Sequence, residues 1–195
     1  MSVKNSYTTA DYLEWDKMLN LVRRLYRDGN YRMSVLVGCG SFFGLRISDL
    51  LTLKWSMLLD SDRFVVVEKK TGKRREIKIN ANFQKHIADC CKALNIADRD
   101  EYCFINSNGG IYTVQHINKL FKGFNEKFNL RVEHFSTHSL RKTFGRRVVE
   151  QAEENSEMAL IRLMELFNHS SVAITKKYLG LRHTELMETY ELLEF

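Results

Sequence analysis

Six polar residues, Arg46, Lys70, His138, Arg141, His169 and Tyr178, are spread over most of this 195-residue chain. Together they form a set able to cut a phosphodiester without a metal. A guanidinium grips two non-bridging phosphate oxygens at once and stays charged at any workable pH. An ammonium can protonate a departing oxygen, and imidazoles move protons near neutrality. A phenol can attack phosphorus once its proton is drawn off. The residues sit in the strings FFGLRISDLL, EKKTGKRREI, THSLRKTF, FNHSS and TKKYLG. Each string alone is ordinary: basic turns and loop histidines are common on surfaces. All five in one small basic chain are hard to attribute to chance.

Local spacing sharpens the set. His138 and Arg141 lie three residues apart near a helix start, so both project from one face beside a partial positive charge. Asp49, three residues after Arg46, falls on the same helical face and is expected to orient it. Lys69, Lys70 and Lys73 surround a Thr71-Gly72 turn that can project an ammonium into a DNA groove. Tyr178 follows His169 by nine residues. A phenol near pKa 10 needs positive surroundings to ionise, which Lys176, Lys177 and the two arginines can supply.

The elements that must position these residues are mostly helical. Helices are expected over 8–28 (capped by Thr8 or Thr9), 31–43 and 46–55, the last two split by Gly44. The run SMLLDSDRFVVVEKKTGKRREIKIN reads as two or three short strands. Asn80 caps a helix over 81–95, and 102–106 is a short extended piece. Helices follow near 113–128, 138–152, 157–167, 172–179 and 183–193. The fold class is therefore mainly α with a small antiparallel β-sheet. Leu186, Tyr190 and Leu193 form an apolar stripe able to dock in cis or on a neighbour.

Bulk properties agree with one DNA-handling domain. A net charge of +6 favours a polyanionic partner. No apolar run of about 18 residues marks a membrane span, and the first residues lack a secretory h-region, so the expected location is cytoplasmic. Cys39, Cys90, Cys91 and Cys103 form no C-x-x-C pair and sit among apolar neighbours, as buried reduced thiols do. There is no proline, for which the sequence offers no physical reason.

The chain resembles the catalytic domain of the tyrosine recombinases, the phage-integrase family. GLRISDL matches that family's G-x-R-x-S-E-L with Asp for Glu. HSLRKT matches H-x-L-R-H-T with Lys142 at the fifth position, taken as outside the chemistry. FNHSS carries Asn168 where the family has Gly before its histidine, and Asn is the next most tolerant residue for a left-handed helix cap.

The resemblance implies a role for each residue. Tyr178 is the nucleophile, Arg46 and Arg141 bind the scissile phosphate, and His138 assists proton transfer. His169 hydrogen-bonds the phosphate or the nucleophile. Lys70 is the general acid because the family's lysine precedes the turn, with Lys73 as second choice. It implies a site-specific recombinase that forms a 3′-phosphotyrosine without metal, ATP or other cofactor. Double-stranded DNA is the partner, with self-association as a tetramer on DNA; no membrane or small-molecule substrate is implied. Residues 1–195 are expected to be one catalytic domain with the N-terminal core-binding domain absent. Type IB topoisomerases use a similar residue set, and a non-catalytic DNA-binding module is the other alternative.

Overall fold

A computed structural model describes residues 10–181 together with 189 and 190. Helix α1 (Trp15–Arg27) buries Met18, Leu21, Val22 and Leu25, one stripe at helical spacing. Helix α2 (Tyr31–Phe43) is buried on almost every side. It packs against α1, α5 (Ala81–Ala93) and α7 (Thr137–Ala152), and so forms the centre of the domain. Phe42 stacks on Phe83 of α5 with ring centroids 4.5 Å apart.

Gly44 ends α2 in the left-handed region, at φ +58°. A Cβ at that position would stand 2.3 Å from the Phe144 ring. Glycine thus serves both the turn and the close approach of α7. The turn delivers Arg46 as the residue capping α3 (Ile47–Leu50). After α4 (Trp55–Leu59), β1 (Arg63–Val67) and β2 (Arg74–Lys78) form one antiparallel hairpin, with Val67 opposite Arg74. Asn80 caps α5 by accepting from the Asn82 and Phe83 amides.

Helix α6 (Val114–Lys127) supplies Asn118, whose side chain accepts the Thr137 amide at the start of α7. A 3-10 turn, Glu153–Asn155, leads into α8 (Ser156–Phe167) and then α9 (Val172–Leu179). The α7–α9 corner has its own small core: Leu160, Leu163, Phe167 and Leu179, with Phe144 and Tyr178 packed on it.

The mainly-α reading with a small antiparallel sheet holds, with local corrections. Residues 10–14 are not helical. Leu13 instead exchanges two hydrogen bonds with the buried Thr143 hydroxyl, at 2.9 and 2.7 Å, which straps this segment across α7. The proposed caps Thr8 and Thr9 lie outside the described residues. The expected helix 46–55 divides into α3 and α4, and Ser56–Leu59 is helical, because turning it inward buries Leu58. The sheet has two strands among the described residues. Of the 183–193 helix and its stripe, Leu186 and Leu193 lie outside the described residues. All four cysteines are buried and free, and burial pushes the Cys90 thiol up to about 12. Among the described residues, no helix is long and apolar enough to cross a membrane.

Candidate active site

Four of the six predicted residues converge on Phe167, at the end of α8. Arg46 donates from Nη2 to the Phe167 carbonyl at 3.0 Å and from Nη1 to Glu68 at 2.8 Å. Arg141 lies over the Phe167 ring, its guanidinium carbon 4.1 Å from the centroid. Its Nη1 donates to the Gly44 carbonyl at 2.5 Å, while its buried Nη2 has no protein partner. The rings of His169 and Tyr178 stand 5.3 Å apart, each edge-on to Phe167. The Tyr178 hydroxyl is likewise buried without a well-formed hydrogen bond, although the Arg141 guanidinium lies near enough to pull its pKa down as a donor. Buried donors are normally satisfied. Two unpaired ones, on a guanidinium and a phenol that interact electrostatically, mark a place prepared for a ligand.

The charges are tuned by burial first. Burial lowers the Arg141 pKa to about 10, helped by Arg46 and Arg75 and opposed by Tyr178 and Glu68. It raises the Tyr178 pKa above 10, against the pull of Arg141 and Arg46. His169 is held below its ordinary value by burial, Arg141 and Arg46; His138 by burial, Arg141 and Lys142. Both imidazoles are therefore neutral at pH 7. The His169 Nδ1 lies 3.0 Å from the Thr175 hydroxyl, which gives its proton to the Ser171 carbonyl at 3.4 Å. Nδ1 must then be the donor, which leaves Nε2 as the acceptor. Asn168 takes the left-handed cap at φ +55°, as its type suggested, and presents His169 at the turn.

The sequence profile of the phage integrase family matches residues 16–185. The chain belongs to the phage integrase family. A probable integrase/recombinase, YoeC, of Bacillus subtilis (strain 168) is 28% identical over 172 residues, 87% of this chain and 89% of that protein. Among solved structures, the XerA recombinase superposes with a TM-score of 0.71 at 20% identity, covering 97% of this chain and 68% of that one. The XerH site-specific recombinase bound to a palindromic difH substrate superposes at 0.67 and 18% identity, covering 98% and 55%. These two likenesses show the fold.

For a phage integrase family member, the hairpin is where the sequence reading needs most adjustment. Lys70 is exposed at the tip. Lys73 reaches the site instead, donating to Asn168 Oδ1 at 2.6 Å, beside His169. Asp49 does not orient Arg46: its Oδ1 accepts the Lys69 amide at 2.9 Å and so anchors the hairpin turn. The carboxylate on Arg46 is Glu68, 3% exposed, which also accepts from Thr71 at 3.0 Å and faces Arg75 at 3.9 Å. A signal for Glu68 was present. Phe64, Val66 and Glu68 alternate along one strand face, so an inward Phe and Val imply an inward Glu that needs cations. His138 stands on the rim, its outer edge in solvent and its ring only partly desolvated by the neighbours that lower its pKa. With Tyr178 and Lys142 it lines a cavity of about 300 Å³.

Proposed function

We propose that this chain is the catalytic domain of a site-specific DNA recombinase, and that Tyr178 is its nucleophile. The supporting observation is the pairing of two unsatisfied buried donors, Arg141 Nη2 and the Tyr178 hydroxyl, beside Arg46 and two neutral histidines. Its family membership and DNA-bound structural relatives such as XerH fit the same reading.

In this mechanism a scissile phosphate displaces the protein's own partners. Arg141 Nη2 takes one non-bridging oxygen and Arg46 another. His138, neutral and sharing a cavity with Tyr178, accepts the phenol proton. The Tyr178 oxygen bonds to phosphorus and the bond to the 5′ oxygen breaks, with a proton arriving from Lys73, the hairpin lysine that reaches the site, and not from Lys70 at the exposed tip. His169 turns its accepting Nε2 toward the Tyr178 hydroxyl, because a lone pair cannot hydrogen-bond a phosphate oxygen. The product is a 3′-phosphotyrosine and a free 5′ hydroxyl, and attack by a partner strand's hydroxyl reverses the step. Bond energy is conserved in the link. DNA is the partner, and strand exchange between two duplexes calls for self-association, as a tetramer on DNA.

The test is incubation with nicked duplexes from DNA flanking the gene, followed by a denaturing gel. A covalent adduct should form and vanish in Tyr178→Phe, which should still bind DNA. An adduct that persists in that variant would overturn the assignment. Relaxation of supercoils by lone protomers without paired sites would point to topoisomerase chemistry.

A further inference from the structure

Lys142 occupies the position where the family motif has His, and the mechanism above gives it no part. Its side chain is 6% exposed, and Nζ stands 5.5 Å from the centroid of the Tyr178 ring. The two share the wall of the 300 Å³ cavity with His138, Lys177, Ile174 and Ala10. Burying an ammonium is costly, and an apolar side chain would fill this place more cheaply. Burial and Arg146 push its pKa down, and only Asp11 of the N-terminal strap opposes them.

The charge has one use in this setting. A cation near an aromatic ring is attracted to the neutral ring, and far more strongly to a phenolate whose charge spreads into the ring. We propose that Lys142 is a positioning residue for the attack step, holding its ammonium against Tyr178 and stabilising the phenolate that forms as the hydroxyl gives its proton to His138 and bonds to phosphorus. The inference rests on Tyr178 being the nucleophile. The other groups around Tyr178 are Arg46 from α3, His138 and Arg141 from α7, His169 from the α8–α9 turn, and Lys177 on its own helix. Lys142 is the cation whose Nζ faces the Tyr178 ring, at 5.5 Å from its centroid.

The experiment compares the protein with Lys142→Met and Lys142→Arg. The first readout is the ultraviolet phenolate signal of Tyr178 against pH, taken as the difference from the same protein carrying Tyr178→Phe. Because Lys142 discharges as Tyr178 ionises, the titration compares the two variants: in Lys142→Arg, whose guanidinium stays charged, the ionisation should lie about one pH unit below that in Lys142→Met. In Lys142→Met, covalent adduct at pH 7 should fall about tenfold, with the loss closing at alkaline pH, where Lys142 itself discharges. Lys142→Arg should restore adduct formation at pH 7. An equal Tyr178 titration in Lys142→Met and Lys142→Arg, or an adduct loss equal at every pH, would overturn the proposal, since a packing role has no pH signature. If Lys142→Met fails to fold by thermal melting, Lys142→Gln replaces it, with the same shortfall in adduct expected at pH 7. If no Tyr178-dependent adduct forms at all, the nucleophile reading fails, while the phenolate titration still decides what Lys142 does.

Discussion

Phe167 serves both arginines: its ring lies under the Arg141 guanidinium at 4.1 Å, and its carbonyl receives Arg46 at 3.0 Å. One fully buried residue at the end of α8 thus sets the spacing of the two proposed phosphate ligands. Phe167→Leu keeps the carbonyl and most of the volume but loses the ring face. It should cost less than about 1.5 kcal/mol in urea unfolding yet lower adduct formation roughly tenfold, because a loosened guanidinium misplaces the phosphate. Phe167→Ala should cost about 3–5 kcal/mol through the cavity it leaves. Urea midpoints and adduct gels on both variants separate packing from positioning.

Arg141→Lys should be nearly as damaging as Arg141→Ala. The fork uses Nη1 on the Gly44 carbonyl and leaves Nη2 for the ligand. An ammonium cannot hold a carbonyl and a phosphate in that geometry. Loss of one such donor costs on the order of 100- to 1000-fold in rate, measured as single-turnover adduct formation. Near wild-type rates for the lysine variant would remove the fork from the mechanism.

Much of this arrangement was legible in the sequence. Gly44 and Asn168 announced their turns because few residue types tolerate a left-handed backbone. Helices α2 and α5–α9 followed from apolar spacing and caps. What stayed hidden depended on distant contacts. The strap over α7 rests on Leu13 and Thr143, 130 residues apart. Asp49 lies one helical turn from Arg46 yet serves Lys69, because the hairpin turn folds over it. Lys142 was set aside as outside the chemistry, since nothing local reveals that α9 places Tyr178 against it.

Stability should fall on the acid side through the two site histidines. Both have folded pKa values lowered by burial and neighbouring cations. The unfolded chain then binds protons more readily, so their contribution is complete above the ordinary value near 6.5 and is lost as pH drops below it toward the lowered folded values. Urea midpoints should decline from pH 7.5 to 5, and less steeply in His138→Gln/His169→Gln. Adduct formation should hold down to below pH 6.5 and then fall, as the imidazole that accepts the phenol proton becomes charged. Parallel declines in the two proteins would refute the assignment of this pH window.

Thr175 should matter to activity without touching DNA. It accepts from His169 Nδ1 because its own proton goes to Ser171, and that fixes the tautomer with Nε2 free. Thr175→Val keeps the shape and removes the acceptor. The expected result is a roughly tenfold slower adduct, with nitrogen NMR of His169 showing mixed tautomers. A single unchanged tautomer would show that something else orients the ring.

Glu68 carries the same charge as the phosphate the site is proposed to bind, so its removal tests what it is for. It sits 3% exposed between Arg46 at 2.8 Å and Arg75 at 3.9 Å, with Thr71 of the hairpin turn on the same carboxylate. An added anion repels phosphate, so Glu68 persists only if holding the arginines outweighs that repulsion. Glu68→Ala leaves two cations facing each other with little solvent, which should cost about 3–5 kcal/mol. Glu68→Gln keeps an oxygen for Arg46 and Thr71 and should cost less, while still slowing adduct formation because Arg46 swings more freely. If Glu68→Gln instead speeds adduct formation at unchanged stability, the carboxylate restrains Arg46 in the absence of DNA, and release from Glu68 becomes part of phosphate binding.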